Sequence, residues 1–261
     1  MKINENNVYN LDAITFLEQV YEEYGGESID MFLVDFPYTF KGKNRVTANK
    51  WDLPVDTKKF FELATKMITK TGVIALTATN PFASYLVSNH LDMFKYEWIW
   101  EKDNGSNFTH VKYQPFKVHE QVLIFGRSAT TYTKNGLNMT YNPQFTEGKP
   151  YKVSRRGMTD NLATGQGYER TSGKYDGKRY PRSVQKYNME KGLHPTQKPV
   201  TLYDFLIKTY TNENDVVVDC CAGSGTTAIA CINTNRKYII NDLDYDYYSK
   251  SVERIKLHQQ D

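Results

Sequence analysis

The chain is poor in cysteine. It has three, Cys220, Cys221 and Cys231, in 261 residues, and none stands in a Cys-x-x-Cys spacing. An odd count without ligand spacing excludes a disulfide framework and offers no zinc site. The three read as small buried residues at a strand end and in a helix, and no metal is expected. Long apolar runs are missing too: none approaches the ~18 residues a membrane span requires, so no membrane partner is expected. The polar start Met1-Lys2-Ile3-Asn4-Glu5-Asn6-Asn7 lacks the apolar stretch of a signal peptide. These absences point to a soluble cytoplasmic protein. There is no internal repeat, no low-complexity tract and no large excess of one charge, the net being +3.

What remains is ordinary globular material, 39% hydrophobic and 24% charged. The length suits one large α/β domain with an insertion, or two small domains. Residues 8–38 read as strand, helix, strand, with Gly25 and Gly26 ending the helix and Ile29 to Val34 suited to a buried parallel strand. Residues 39–56 are polar and basic and read as a loop. A helix is expected from about Thr57 to Thr69, a strand over Gly72–Leu76, a helix from Pro81 to Phe94, and strands over Glu97–Trp100 and Gln121–Phe125. Farther on, Thr201–Tyr210 reads as a helix and Val216–Val218 as a strand. A turn at Gly223 opens a helix through Cys231, Lys237–Asn241 is a strand, and Tyr245–Leu257 closes the chain as a helix. Strands alternating with helices imply a mostly parallel sheet covered on both faces.

Between Thr133 and Leu193 the texture changes. Periodicity fades, tyrosines are interspersed with Arg, Lys, Asn and Ser, and twelve Lys and Arg stand against five Asp and Glu. Concentrated positive charge of this kind is an electrostatic footprint for phosphates, and the aromatics argue against disorder. Three segments follow: 1–132, a basic insertion at 133–192, and 193–261.

Two motifs carry chemistry. Asp35-Phe36-Pro37-Tyr38 directly follows an apolar run, so a strand end presents a carboxylate, a carbonyl and an aromatic face to a flat, amine-bearing ring. Far downstream, Asp219-Cys220-Cys221-Ala222-Gly223-Ser224-Gly225-Thr226-Thr227 reads as a strand, a glycine turn and a helix start, the pattern of nucleotide-type sites. Asp242 ends the next strand, where an acidic residue can accept from both ribose hydroxyls. No Lys-Ser/Thr of a P-loop is present, and a carboxylate at the strand end would repel a polyphosphate. A cationic, phosphate-free nucleoside such as S-adenosylmethionine fits better.

With His194-Pro195-Thr196-Gln197-Lys198-Pro199 between them, these motifs resemble those of the DNA amino-methyltransferases, which methylate the exocyclic nitrogen of adenine or cytosine. Glu97-Trp98-Ile99-Trp100-Glu101-Lys102 and His119-Glu120 also look like this family, so the resemblance covers most of 8–127 and 193–254. It departs at Phe36, where the family has proline, and at Cys220 and Cys221, where it has proline and phenylalanine. The order of the motifs resembles the β group. The resemblance implies a Rossmann-like, S-adenosylmethionine-dependent fold with a mostly parallel seven-stranded sheet, one strand antiparallel, and a target-recognition region in the insertion. It implies Asp35, Pro37 and Tyr38 as catalytic residues. It places the cofactor S-adenosylmethionine at Asp12, Ala13, Asp35, Thr196, Lys198, Asp219, Ala222, Gly223, Ser224, Gly225, Thr226 and Asp242, with Lys198 near the cofactor's carboxylate. His119 is expected to be structural.

Double-stranded DNA is the implied partner, with Lys41, Lys43, Arg45, Arg155, Arg156, Lys178, Arg179 and Arg182 as contacts. A homodimer and a cognate restriction endonuclease are further implied partners. Asp at the first motif position favours adenine N6 over cytosine N4 as the target. The alternatives are a cytosine N4 enzyme, a DNA-binding homologue without catalysis and, more distantly, a nicotinamide oxidoreductase.

Overall fold

A computed structural model describes residues 2–39, 53–105, 107–134, 136–153, 158–160, 167–169, 173–190 and 197–260. The chain divides into two units, Met1–Asn142 with Ser183–Asp261, and Pro143–Arg182. The second lies inside the 133–192 segment expected as an insertion.

In chain order the elements are β1 (Asn7–Tyr9), α1 (Ala13–Tyr24), β2 (Ile29–Val34), α2 (Thr57–Met67), β3 (Ile68–Ala78), α3 (Phe82–Asn89), β4 (Phe94–Glu101) and β5 (His119–Gly126). Short strands follow: β6 (Thr146–Glu147), β7 (Tyr151–Val153), β8 (Met158–Asp160), β9 (Gly167–Glu169), β10 (Gly173–Tyr175), β11 (Lys178–Arg179) and β12 (Val184–Lys186). The chain then runs through α4 (Val200–Tyr210), β13 (Val216–Asp219), α5 (Thr226–Asn233), β14 (Lys237–Asn241) and α6 (Tyr245–His258).

Eight strands form the sheet of the larger unit, in the order β1-β14-β13-β2-β3-β5-β4-β12. Only β5 runs against its neighbours; the other ladders are parallel. The sheet has eight strands where seven were expected, and the one antiparallel strand is as expected. The eighth is β12, three residues paired with β4 at the edge, too short to carry a hydrophobic signature. The central strands are apolar on both faces because helices cover both. One core layer gathers Phe16, Leu17, Phe32 and Phe60, the other Met31, Leu33, Leu206 and Ile240.

Local chemistry sets the element ends. Asp12 caps α1, its Oδ1 accepting from the backbone N–H of Ile14 and Thr15 at 3.0 and 3.2 Å. Asp244 caps α6 in the same way through Asp246 and Tyr247. Two expected helices are too long. The one begun at Thr57 ends at Met67, where the β-branched stretch from Ile68 starts β3. The one expected to reach Phe94 ends at Asn89, whose side-chain amide bonds back to the Tyr85 carbonyl at 2.7 Å, and Phe94 already belongs to β4.

The smaller unit consists of two-stranded ribbons, β10 with β7, β11 with β6 and β8 with β9. Tyr151 and Tyr175 face each other across one of them and stack at 4.9 Å, with the Arg179 guanidinium 4.4 Å from the Tyr151 ring centroid.

Candidate functional site

The site lies at the carboxyl ends of the parallel strands, where open α/β sheets bind ligands. Asp35 follows β2, Asp219 ends β13, Asp242 follows β14, and Lys198 precedes α4. Asn241, fully buried at the end of β14, ties these loops together. Its Oδ1 accepts from Leu11 N–H at 2.9 Å, and its amide donates to the carbonyls of Leu11 and Cys220 at 3.0 and 3.2 Å. One side chain therefore fixes the entry to α1 and the end of β13.

The glycine turn is held from several sides. Gly223 and Gly225 have φ of 52° and 78°, left-handed values that favour glycine. Gly223 N–H donates to Asp242 Oδ2 at 2.7 Å. Arg254, reaching from α6, donates to the Ser224 carbonyl at 3.0 Å and to Thr226 Oγ1 at 3.2 Å, and Ser224 Oγ donates to Gln197 Oε1 at 3.0 Å. Asp219 accepts from Cys221 N–H at 3.0 Å and from the Thr227 hydroxyl at 2.5 Å. Burial pushes the Asp219 carboxyl up to about 7, with Asp35 and Asp242 adding repulsion, and pushes Asp242 up to about 6.

The acceptor motif forms a second, charged cluster. Asp35 Oδ2 accepts from Lys198 Nζ at 2.5 Å, and Oδ1 accepts from the Tyr38 hydroxyl at 2.9 Å and from the Thr77 hydroxyl. Glu120 lies beyond. Its Oε2 stands 3.4 Å from Lys198 Nζ and 3.0 Å from the Tyr38 hydroxyl, and its Oε1 accepts from Lys102. Burial raises the Glu120 carboxyl, but Lys198 and Lys102 outweigh it and hold the group at about 2. Burial likewise draws the Lys198 ammonium down, yet Asp35 and Glu120 leave it above its ordinary value. One face of Tyr38 packs on Phe82 at 5.8 Å and 27°. The Pro37 carbonyl accepts from Thr39 N–H at 2.8 Å and keeps a second lone pair.

Phe36, the departure in this motif, is buried in the core with its ring edge-on to Phe60 at 4.9 Å. It anchors the strand end from below while Asp35 and Tyr38 meet above it. Cys220 and Cys231 are buried and Cys221 is half-buried, all as free thiols.

Both clusters face one cavity of about 430 Å³. Asp12, Ala13, Asp35, Pro37, Tyr38, Lys198, Asp219, Ala222, Gly223, Ser224, Thr226 and Asp242 line it; Gly225 shapes the turn without lining the cavity. Thr196, Lys41, Lys43, Arg45, Arg155 and Arg156 lie outside the described residues. Lys178 and Arg182 are exposed in the smaller unit, and Arg179, half-buried there, also donates to the Lys149 carbonyl at 2.9 Å. Glu120, part of the family resemblance but given no role by it, also lines the cavity, as do Tyr203 and Tyr247. His119 beside Glu120 is exposed.

The lining is acidic. Asp12, Asp35, Asp56, Glu120, Asp219 and Asp242 surround it, and among the described lining residues Lys198 is the lone cation. That set disfavours a polyphosphate and suits a compact ligand that carries positive charge and hydroxyls.

The chain is similar to known proteins in sequence and in fold. The family model N6_N4_Mtase, described as DNA methylase, matches residues 29–253. The type II methyltransferase M1.MboII of Moraxella bovis is 24% identical over 94% of this chain and 95% of its own. The DNA adenine methyltransferase YhdJ of Escherichia coli K12 is 28% identical over 94% and 80%. Among solved structures, the M1.HpyAVI–SAM complex aligns with a TM-score of 0.58 at 19% identity, covering 95% of this chain and 98% of that one. The cytosine-N4-specific PvuII DNA methyltransferase aligns at 0.65 and 16% identity, covering 99% and 93%.

Proposed function

Since the chain belongs to the DNA methylase family N6_N4_Mtase, we propose that it methylates the exocyclic N6 amine of adenine in double-stranded DNA, with S-adenosylmethionine as the methyl donor. The observation that carries this reading is the union of the two motifs in one acidic cavity, Asp35 on one side and Asp219 with Asp242 on the other. When bound, S-adenosylmethionine supplies a methyl group activated by a sulfonium. Asp242 would hold ribose hydroxyls, and the glycine turn would admit the ligand close to backbone.

The exocyclic amine is a poor nucleophile because its lone pair is delocalised into the ring. Asp35 and the free lone pair of the Pro37 carbonyl would accept its two hydrogens. That favours a pyramidal nitrogen and stabilises the positive charge that develops on it. Tyr38, which lines the cavity, would stack on the base, worth roughly 1–3 kcal/mol. Reaching this cavity requires the base to leave the duplex. An aspartate at position 35 supports adenine as the target, and YhdJ carries the adenine specificity in its own name. The exposed basic residues Lys178 and Arg182 would contact phosphate.

The test is incubation of DNA from a methylation-deficient host with labelled S-adenosylmethionine, then mass spectrometry of the nucleosides. N6-methyladenine is expected. N4-methylcytosine would keep the chemistry and overturn the base. No methylated nucleoside, with cofactor and DNA both bound, would overturn the activity.

A further inference from the structure

Lys198 is held between two carboxylates rather than one. Its ammonium lies 2.5 Å from Asp35 and 3.4 Å from Glu120, with the lysine side chain 6% exposed. Glu120, 12% exposed, has a second cation of its own in Lys102, which is 7% exposed. The charges therefore alternate through the interior as Lys102, Glu120, Lys198, Asp35, and the chain of four is neutral as a whole. The Tyr38 hydroxyl lies within hydrogen-bonding distance of both acids. The fold builds the far end of this chain deliberately. Antiparallel register sets Trp100 opposite Glu120 and Glu101 opposite His119, and Lys102 N–H donates to the Val118 carbonyl at 2.8 Å. Trp100, Lys102 and Glu120 thus share one face, with the Lys102 ammonium 4.8 Å from the Trp100 ring centroid.

In this arrangement both Asp35 oxygens are already engaged, Oδ2 by Lys198 and Oδ1 by Tyr38 and Thr77. An amine that draws on Asp35 withdraws charge from Lys198. A buried ammonium left without a counter-ion is strongly unfavourable. We propose that Glu120 is a positioning residue that takes over Lys198 as Asp35 turns to the target amine, with Lys102 holding Glu120 in place for that exchange. This rests on the methyl-transfer reading of the same site. Among the described residues Glu120 meets Tyr38, Lys102 and Lys198 and not the glycine turn, so its effect is to be read in turnover.

The experiment compares Glu120→Gln, Glu120→Asp and Lys102→Met with the wild-type chain. It measures kcat, KM for DNA, calorimetric affinity for S-adenosylmethionine, and thermal melting. Glu120→Gln should lower kcat on the order of tenfold to a hundredfold, the scale of a misplaced reacting group. KM and cofactor affinity should stay within about threefold, far less than the change in kcat. Glu120→Asp should recover most of the lost turnover, and Lys102→Met should lower kcat in the same direction but less. A kcat for folded Glu120→Gln equal to wild type overturns the proposal, as does a loss confined to KM or to cofactor affinity. If Glu120→Gln does not fold, Lys102→Met decides: unchanged kcat in that folded variant also overturns it. A wild-type chain that methylates no DNA refutes the underlying reading instead, and the control separates the two failures.

Discussion

Lys198 Nζ lies 2.5 Å from Asp35 Oδ2, although 163 positions separate the two in the chain. The pair closes the segment before α4 onto the end of β2 and joins the two motifs into one cavity. Burial is nearly complete at the lysine, at 6% exposure. Removing one partner of such a pair leaves an uncompensated charge in the interior. Lys198→Met is therefore expected to destabilise the protein by about 3–5 kcal/mol and to abolish methyl transfer. Chemical denaturation followed by the methylation assay checks both.

Two carboxylates in the cavity have raised values, about 7 for Asp219 and about 6 for Asp242. A carboxyl raised on folding favours the native state while protonated. Its contribution is full below the unfolded value near 4 and is lost as pH rises through the folded value. Between about pH 4 and pH 7 the ligand-free protein should lose stability to these two groups. Asp219→Asn should flatten that part of the profile, measured as melting temperature against pH. Glu120 has the opposite sign: held at about 2, it stabilises above its unfolded value, and that stability is lost as pH falls toward 2. Since a cationic ligand prefers ionised neighbours, affinity for S-adenosylmethionine should rise from pH 5 to pH 8. Calorimetry across that range checks the slope; a flat profile contradicts the assignment of these carboxylates.

Phe36 departs from the family motif and is buried edge-on to Phe60. Its work is packing. Phe36→Ala should cost about 3–5 kcal/mol of stability. Cofactor affinity should change little while the protein remains folded. A melting curve with calorimetry separates the two effects.

The basic residues of the 133–192 segment should show themselves in salt dependence. Each phosphate contact removed lowers the slope of log K against log salt by about 0.9. Lys178→Ala with Arg182→Ala, and separately Arg155→Ala with Arg156→Ala, should weaken DNA binding and reduce the slope. A slope that stays at the wild-type value removes that pair from the interface.

Much of this architecture was legible because its signals are local. β14 occupies Lys237–Asn241 and α6 begins at Tyr245, both at the positions read from the sequence. The aspartates at strand ends and the glycine turn were legible for the same reason. Glu120 and Lys102 were not, because their meeting depends on the register of β5 against β4, a pairing with no local trace. Asn241 was hidden at the end of a correctly read strand, since its bonds run to residues 230 and 21 positions away. The side-chain partner of Lys198 follows from packing as well: proximity to a ligand carboxylate was the expectation from the motif, and its ammonium contacts Asp35 and Glu120. The end of α3 was overrun because Leu91, Met93 and Phe94 continue an apolar texture past the point where Asn89 turns the backbone.

The most direct measurement is single-turnover methylation by Asp35→Ala beside the wild-type chain, with DNA affinity measured on the same preparations. Turnover should fall by at least about a hundredfold, as for loss of a group that stabilises transition-state charge, while DNA affinity stays close to wild type. Methyl transfer at the wild-type rate in that variant would contradict the account.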